Sequence, residues 1–193
     1  MGLLQTPTGR IVVGNALFVV CCAFYLAWWL VWFHPVNPVT GIKTGWLLIP
    51  AAAAGMVGVA CALWGISSLS APGVFFPNAF VVAGGVVAYV AFAVLTRWLF
   101  ERPITSELFL ITGWAALAVA QVNALYGSVL FPRGVALALL AVIGVILAIS
   151  LVCYVWYFRL DAWRSYVDGM VPLVLTAAFM VALNVSVSVY SRR

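Results

Sequence analysis

Charged positions interrupt this chain rarely and at wide intervals. None falls between Ile11 and Phe33, Thr44 and Thr96, Leu108 and Pro132, or Gly134 and Phe158. A transmembrane helix needs roughly 20 apolar residues. The second run is too long for one such span, and Ser67-Ser68-Leu69-Ser70-Ala71-Pro72-Gly73 breaks it. The pattern therefore predicts six helices. Helix 1 runs from about Ile11 to Phe33 and is stopped by His34-Pro35-Val36-Asn37-Pro38, because proline cannot continue the hydrogen-bond ladder. Helix 2 runs from about Trp46 to Ser67, with Pro50 in its first turn, where a missing N–H costs little. Helix 3 spans about Pro77 to Phe100 and ends at Glu101-Arg102-Pro103. Helices 4, 5 and 6 span about Glu107 to Phe131, Gly134 to Phe158 and Asp168 to Tyr190. Lipid cannot hydrogen-bond exposed backbone, so spanning segments are helices or closed barrels. Long runs without strict alternation exclude a barrel. The expected fold class is an all-α integral membrane protein, residues 1–193 forming one transmembrane domain.

The apolar runs carry an internal echo. Val74-Phe75-Phe76-Pro77 returns as Val129-Leu130-Phe131-Pro132, and each copy opens a helix. Each helix closes on aromatic residues, Trp98-Leu99-Phe100 or Trp156-Tyr157-Phe158. A polar link follows, then a helix headed by Glu107 or Asp168, with Asn123 or Asn184 sixteen residues later. Asn15-Ala16 matches Asn78-Ala79, and Trp64-Gly65 matches Tyr126-Gly127. The expectation is three pseudo-repeated helical hairpins, about 11–73, 74–128 and 129–190, related in parallel about an axis along the membrane normal. Such a bundle resembles, in plan alone, the urea/amide channels and the acetate channels of bacteria. None of their motifs maps onto residues here. The plan implies only a passage for a small solute.

Composition agrees with a lipid surrounding. The 193 residues are 67% hydrophobic and 7% charged, with mean hydropathy +1.21, against about 25% charged residues in a soluble domain. The first apolar run exceeds the ~7–15 residues of a signal-peptide core and is flanked by Arg10 alone, so it is expected to be a true span. The net charge of +5 is spread over loops and gives no nucleic-acid footprint. Cys21, Cys22, Cys61 and Cys153 lie in spans without a C-x-x-C pair and read as small apolar packing residues.

Six spans put both termini on one side, with the 2–3 and 4–5 loops. Eight of the nine tryptophans fall at or near the opposite side, Trp64 being the exception, and tryptophan favours the headgroup region. Arg10, Arg133, Arg192 and Arg193 lie on the terminal side. Lys43, Arg97, Arg102, Arg159 and Arg164 lie opposite, with all four acids. Acids contribute little to orientation. The terminal side, whose arginines are unpaired, is expected to be cytoplasmic, in a bacterial cytoplasmic membrane. Small residues at four-residue spacing favour close helix packing. They include Ala54, Gly58 and Ala62; Ala51 with Gly55; Gly84 with Ala88; Ala116, Ala120 and Ala124; and Gly144 with Ala148.

Candidate chemistry is sparse. Asn15, Asn78, Gln121, Asn123, Asn184 and Ser188 gather toward the terminal side. Amides and hydroxyls can line a path for a small polar solute or ion, or simply hydrogen-bond between helices. Glu107 and Asp168 stand at the opposite heads of helices 4 and 6. An acid there either caps free N–H groups or forms, with Arg97 and Arg164, the mouth of such a path. Arg97 also reads as an interfacial anchor. A lone histidine, His34, excludes a bis-histidine haem or a His-rich metal site within one chain. The only lysine, Lys43, lies in a loop. No nucleophile–base pair or phosphate-binding glycine motif is present, so no cofactor is expected and the expectation leans away from an enzyme. The first expectation is a channel or transporter for a small solute or ion. The second is a non-catalytic membrane subunit or scaffold that docks a larger partner through the loops 98–107 and 158–168; any homo-oligomer contact is expected along the small-residue stripes. The third is an interfacial lipid-modifying enzyme using Glu101, Asp161 or Asp168.

Overall fold

The computed structural model describes residues 2–36, 44–69, 73–101 and 106–192. The expected features at Asn37, Pro38, Lys43, Ser70 to Pro72, Arg102, Pro103 and Arg193 lie outside the described residues. The fold is all-α: α1 (Pro7–Trp32), α2 (Leu48–Ser67), α3 (Asn78–Phe100), α4 (Ser106–Gly127), α5 (Arg133–Trp156) and α6 (Ala162–Tyr190). Six helices are long and apolar enough to cross a membrane, and no strand occurs among the described residues. The chain is an integral, multi-pass membrane protein.

Three helix ends differ from the hydropathy reading, each for a local chemical reason. Helix α1 starts four residues early because Thr6 caps it, its side chain accepting from the Gly9 N–H at 3.1 Å, with Pro7 in the first position. Proline there forfeits only an N–H that has no intrahelical partner. Helix α6 starts six residues early because Asp161 caps it, accepting from the Arg164 N–H at 2.8 Å. Helix α4 stops at Gly127 rather than Phe131. The Leu130 N–H donates to the Leu125 carbonyl at 3.1 Å and the Val129 N–H to the Tyr126 carbonyl at 2.9 Å. That is a Schellman closure, and it drives Val129 to φ 64°.

The chain forms two compact units, Met1–Ser68 with Arg159–Arg193, and Leu69–Phe158. In the first, α1 packs against α2 and α6. Its contact with α2 is backbone to backbone. A Cβ on Gly14 would lie 2.8 Å from the Gly58 carbonyl oxygen, and one on Gly65 would lie 2.8 Å from that of Pro7. Ala51, Gly58, Ala62 and Gly65 form the buried stripe of α2. Helices α1 and α6 run antiparallel, Asn15 beside Asn184 and Trp29 beside Tyr166. The start of α1 and the end of α6 therefore share one end of this unit.

In the second unit, α4 packs against α3 and α5 and is the most buried of the six spans. Here Gly85 meets Ala116, whereas Gly84 and Gly144 face open space. Leu108, Ala93 and Tyr154 join the three helices in one apolar cluster. Pro77 and Pro132, which close the repeated motif, both stand in extended conformation immediately before a helix. The two-helix units of the expected repeat are paired for α1–α2 and α3–α4. The third is divided, α5 belonging to the second unit and α6 to the first.

Candidate functional site

The intramembrane amides fall into three situations. In the first unit, Asn15 is fully buried, and its Nδ2 donates to Asn184 Oδ1 at 3.1 Å. Asn184 Nδ2 in turn donates to the Val12 carbonyl at 3.1 Å. The pair bolts α6 to the first turns of α1. Asn15 Oδ1 is buried with no hydrogen-bond partner among the described residues. A cleft of about 450 Å³ opens beside this pair. Ala16 and Val19 of α1 form one wall. Val181, Val185 and Val189 of α6 alternate with Asn184, Ser188 and Arg192 on the other.

In the second unit, Asn123 is fully buried and serves the backbone. Its Oδ1 accepts from the N–H groups of Phe75 and Phe76 at 2.9 and 3.1 Å, and its Nδ2 donates to the Phe76 carbonyl at 2.7 Å. Residue 76 thereby pairs with an amide as it would with a neighbouring strand. Phe75 stacks on Tyr126, one turn beyond Asn123, with ring centroids 3.9 Å apart. Asn78 is the exposed first residue of α3. Thr96 and Thr112 donate to carbonyls of their own helices, Phe92 at 2.7 Å and Leu108 at 2.8 Å.

Gln121 is the third situation. It is 0% exposed, and neither Oε1 nor Nε2 has a hydrogen-bond partner among the described residues. The residues that share its helical face, Leu117, Ala118, Ala124 and Leu125, are apolar and buried. It stands two positions before Asn123, so the two amides leave α4 in different directions.

The charged residues at the helix ends separate as well. Glu107 is the exposed second residue of α4, where the helix dipole favours an acid. Asp168, expected at the head of helix 6, is instead the half-buried seventh residue of α6. The dipole effect falls off within the first turn, so the cap belongs to Asp161. Arg164 pairs with that cap at 3.4 Å, both side chains well exposed. Beside Asp168, Gly169 leaves room for the Trp29 ring, and Trp29 Nε1 donates to the Tyr166 carbonyl at 3.0 Å. His34 lies edge-on to Trp163 and Tyr166. Arg97 is exposed in the last turn of α3.

The structure thus joins Asn15 to Asn184 and sets Asn184 with Ser188 in one cleft. Asn123, Gln121 and Asn78 belong to the other unit. Hydropathy missed Asp161 and Thr6 as caps, although Ser/Thr/Asp three residues before an N–H is a sequence-level signal. It also missed a staple at Arg10. The Arg10 guanidinium lies 3.9 Å from the centre of the Trp64 ring and donates to Ser68 Oγ at 2.8 Å. Trp64, the tryptophan on the unexpected side, is the partner of that cation. No group of three or more His, Cys, Asp or Glu among the described residues is placed to hold a metal ion. No family model, curated protein or solved structure matches the chain.

Proposed function

We propose that this protein passes a small polar solute or ion across a bacterial cytoplasmic membrane, and that Gln121 is the group the solute meets. The observation that carries the reading is a 0% exposed amide whose two ends have no hydrogen-bond partner among the described residues, inside the most buried of six helices long enough to span a membrane. Leaving a buried donor or acceptor unmade costs about 1–3 kcal/mol. A leucine at that position would avoid the cost, so the amide is kept for a transient partner. Asn123 and Asn184 are engaged at both ends and Asn15 at its Nδ2, and they act as the frame rather than the wall. Glu107 stands fourteen residues earlier on the same helix, about 21 Å along its axis, and serves as a charged approach. Arg97 belongs with Glu107 in the second unit; Asp168 and Arg164 lie in the first, toward the end opposite both termini, which this reading places on the cytoplasmic face. The antiparallel run of α1 and α6 supports a shared side for the termini.

The test uses purified protein in liposomes. Urea and glycerol permeation are followed by stopped-flow light scattering, and potassium or chloride flux by a potential-sensitive dye. Wild-type protein is expected to raise one of these above empty liposomes. Gln121→Leu is expected to abolish that flux while raising the unfolding midpoint. Flux absent from the wild type for every probe, or undiminished in Gln121→Leu, removes the reading.

A further inference from the structure

The cleft on α6 has an internal order that the solute reading does not use. Along one face of α6, Asn184 and Ser188 stand four residues apart, and Val181, Val185 and Val189 do the same beside them; Arg192, in the turn just past the helix end, completes the polar side of the cleft. Side chains four apart stack on one face, so the wall is a polar ladder beside an apolar one. The innermost polar rung is closed, because Asn184 is engaged by Asn15 and Val12. The outer two rungs are not. No hydrogen bond or ion pair engages the Ser188 hydroxyl or the Arg192 guanidinium among the described residues. From Val181 to Tyr190 the helix rises about 14 Å at 1.5 Å per residue, and Arg192 lies in the turn beyond it. One leaflet of the hydrocarbon core is about 15 Å deep, half of roughly 30 Å. The cleft is therefore about as long as one leaflet is deep, with the Arg192 cation at its outer end and valines along its length.

From this we infer that the α1–α6 cleft is a specific seat for one anionic glycerophospholipid. The phosphodiester sits against Arg192 and Ser188, and an acyl chain lies along the valines. A small soluble anion has no use for the valine ladder. A neutral polar solute has no use for a free guanidinium. A zwitterionic lipid brings its own cation to the same place, and repulsion between that cation and the guanidinium weakens the charge-assisted bond its phosphate makes with arginine. The volume, about 450 Å³, is that of a ligand site rather than a packing defect.

Native mass spectrometry of the full chain released from detergent tests the assignment, with phosphatidylglycerol and phosphatidylcholine of the same acyl chains titrated separately. One phosphatidylglycerol is expected to be retained about tenfold more tightly than phosphatidylcholine, the scale of one hydrogen bond to a charged group. Arg192→Gln is expected to abolish the difference, and Val185→Trp to weaken both lipids. Arg164→Gln, an exposed arginine at the other end of α6 already paired with Asp161, is expected to change nothing. Equal retention of the two lipids by wild type overturns the assignment, as does undiminished preference in Arg192→Gln. Competition by glycerol 3-phosphate at the same concentration as the lipid overturns it in favour of a soluble anion. A dimer that Val185→Trp dissociates overturns it in favour of a second copy. Gln121→Leu leaves this readout unchanged, so its outcome is separate from the flux experiment.

Discussion

Replacing Asn123 by leucine would separate a structural amide from one that lines a path. The side chain makes three hydrogen bonds to two consecutive residues, at 2.9, 3.1 and 2.7 Å. Each net bond is worth about 0.5–1.5 kcal/mol. Leucine has similar volume but leaves the Phe75 N–H, the Phe76 N–H and the Phe76 carbonyl without the amide. The expected loss is about 3 kcal/mol, or roughly 6–12 °C in unfolding midpoint for a chain of this size. Asn123→Asp keeps both accepted bonds and turns the donated one into an oxygen–oxygen contact, so it should fall between wild type and leucine. The clamp is local, so its loss should also free the segment before α3. Chymotrypsin should cut after Phe75, the Phe76–Pro77 bond being resistant, in Asn123→Leu and not in wild type at the same temperature. A leucine variant with wild-type midpoint and no new cleavage would refute the clamp and return Asn123 to the path.

Two further substitutions test the packing and the turn. Gly14→Ala gains about 1 kcal/mol of helix propensity but drives a methyl to 2.8 Å from the Gly58 oxygen and 2.9 Å from the Ala62 nitrogen. Both are backbone atoms that cannot swing aside, and overpacking of this kind costs about 1–3 kcal/mol. It should lower the midpoint, while Gly144→Ala, which meets open space, should hold or raise it; equal midpoints in detergent would show that the two helices do not touch as closely as described. Val129→Gly relieves a β-branched residue held at φ 64°, a strain of about 1–3 kcal/mol, and since Val129 is 86% exposed little packing is lost. Denaturant unfolding should show a gain, and a loss would mean that this turn is held by something other than the closure of α4.

How much of this was legible beforehand depends on how far apart the interacting groups lie. The six spans follow from composition over windows of about 20 residues, because lipid permits few alternatives. The helix ends were legible in principle. Thr6-Pro7 and Asp161 are local caps, masked in a hydropathy reading by Arg10 and Arg164 just inside the helices. The small-residue stripes could be found but not aimed. Gly58 and Ala62 meet α1, whereas Gly84 and Gly144, equally good by spacing, face outward, and only the partner helix decides. The Val-Phe-Phe-Pro echo has a local meaning, an extended proline ahead of each helix. The carboxylates matched to it do different work, Glu107 in a first turn and Asp168 two turns in.

The amides show why the rest was hidden. Asn15, Asn123, Asn184 and Gln121 look equivalent in an apolar chain, and each is compatible with a path or with a bond. What separates them is whether a backbone or another amide lies opposite, at separations of 47 to 172 residues in sequence. Hydrophobic periodicity has no access to that. In lipid an unpaired amide has no water to fall back on, so a helix bundle drifts toward pairing every one it retains. Asn123 and Asn184 have done so at both ends, and Asn15 at its Nδ2. Gln121, in the most buried span, has a partner at neither end among the described residues. A frame built from paired amides makes the unpaired one meaningful, because substitution to an apolar residue was available at that position and would have been stabilising.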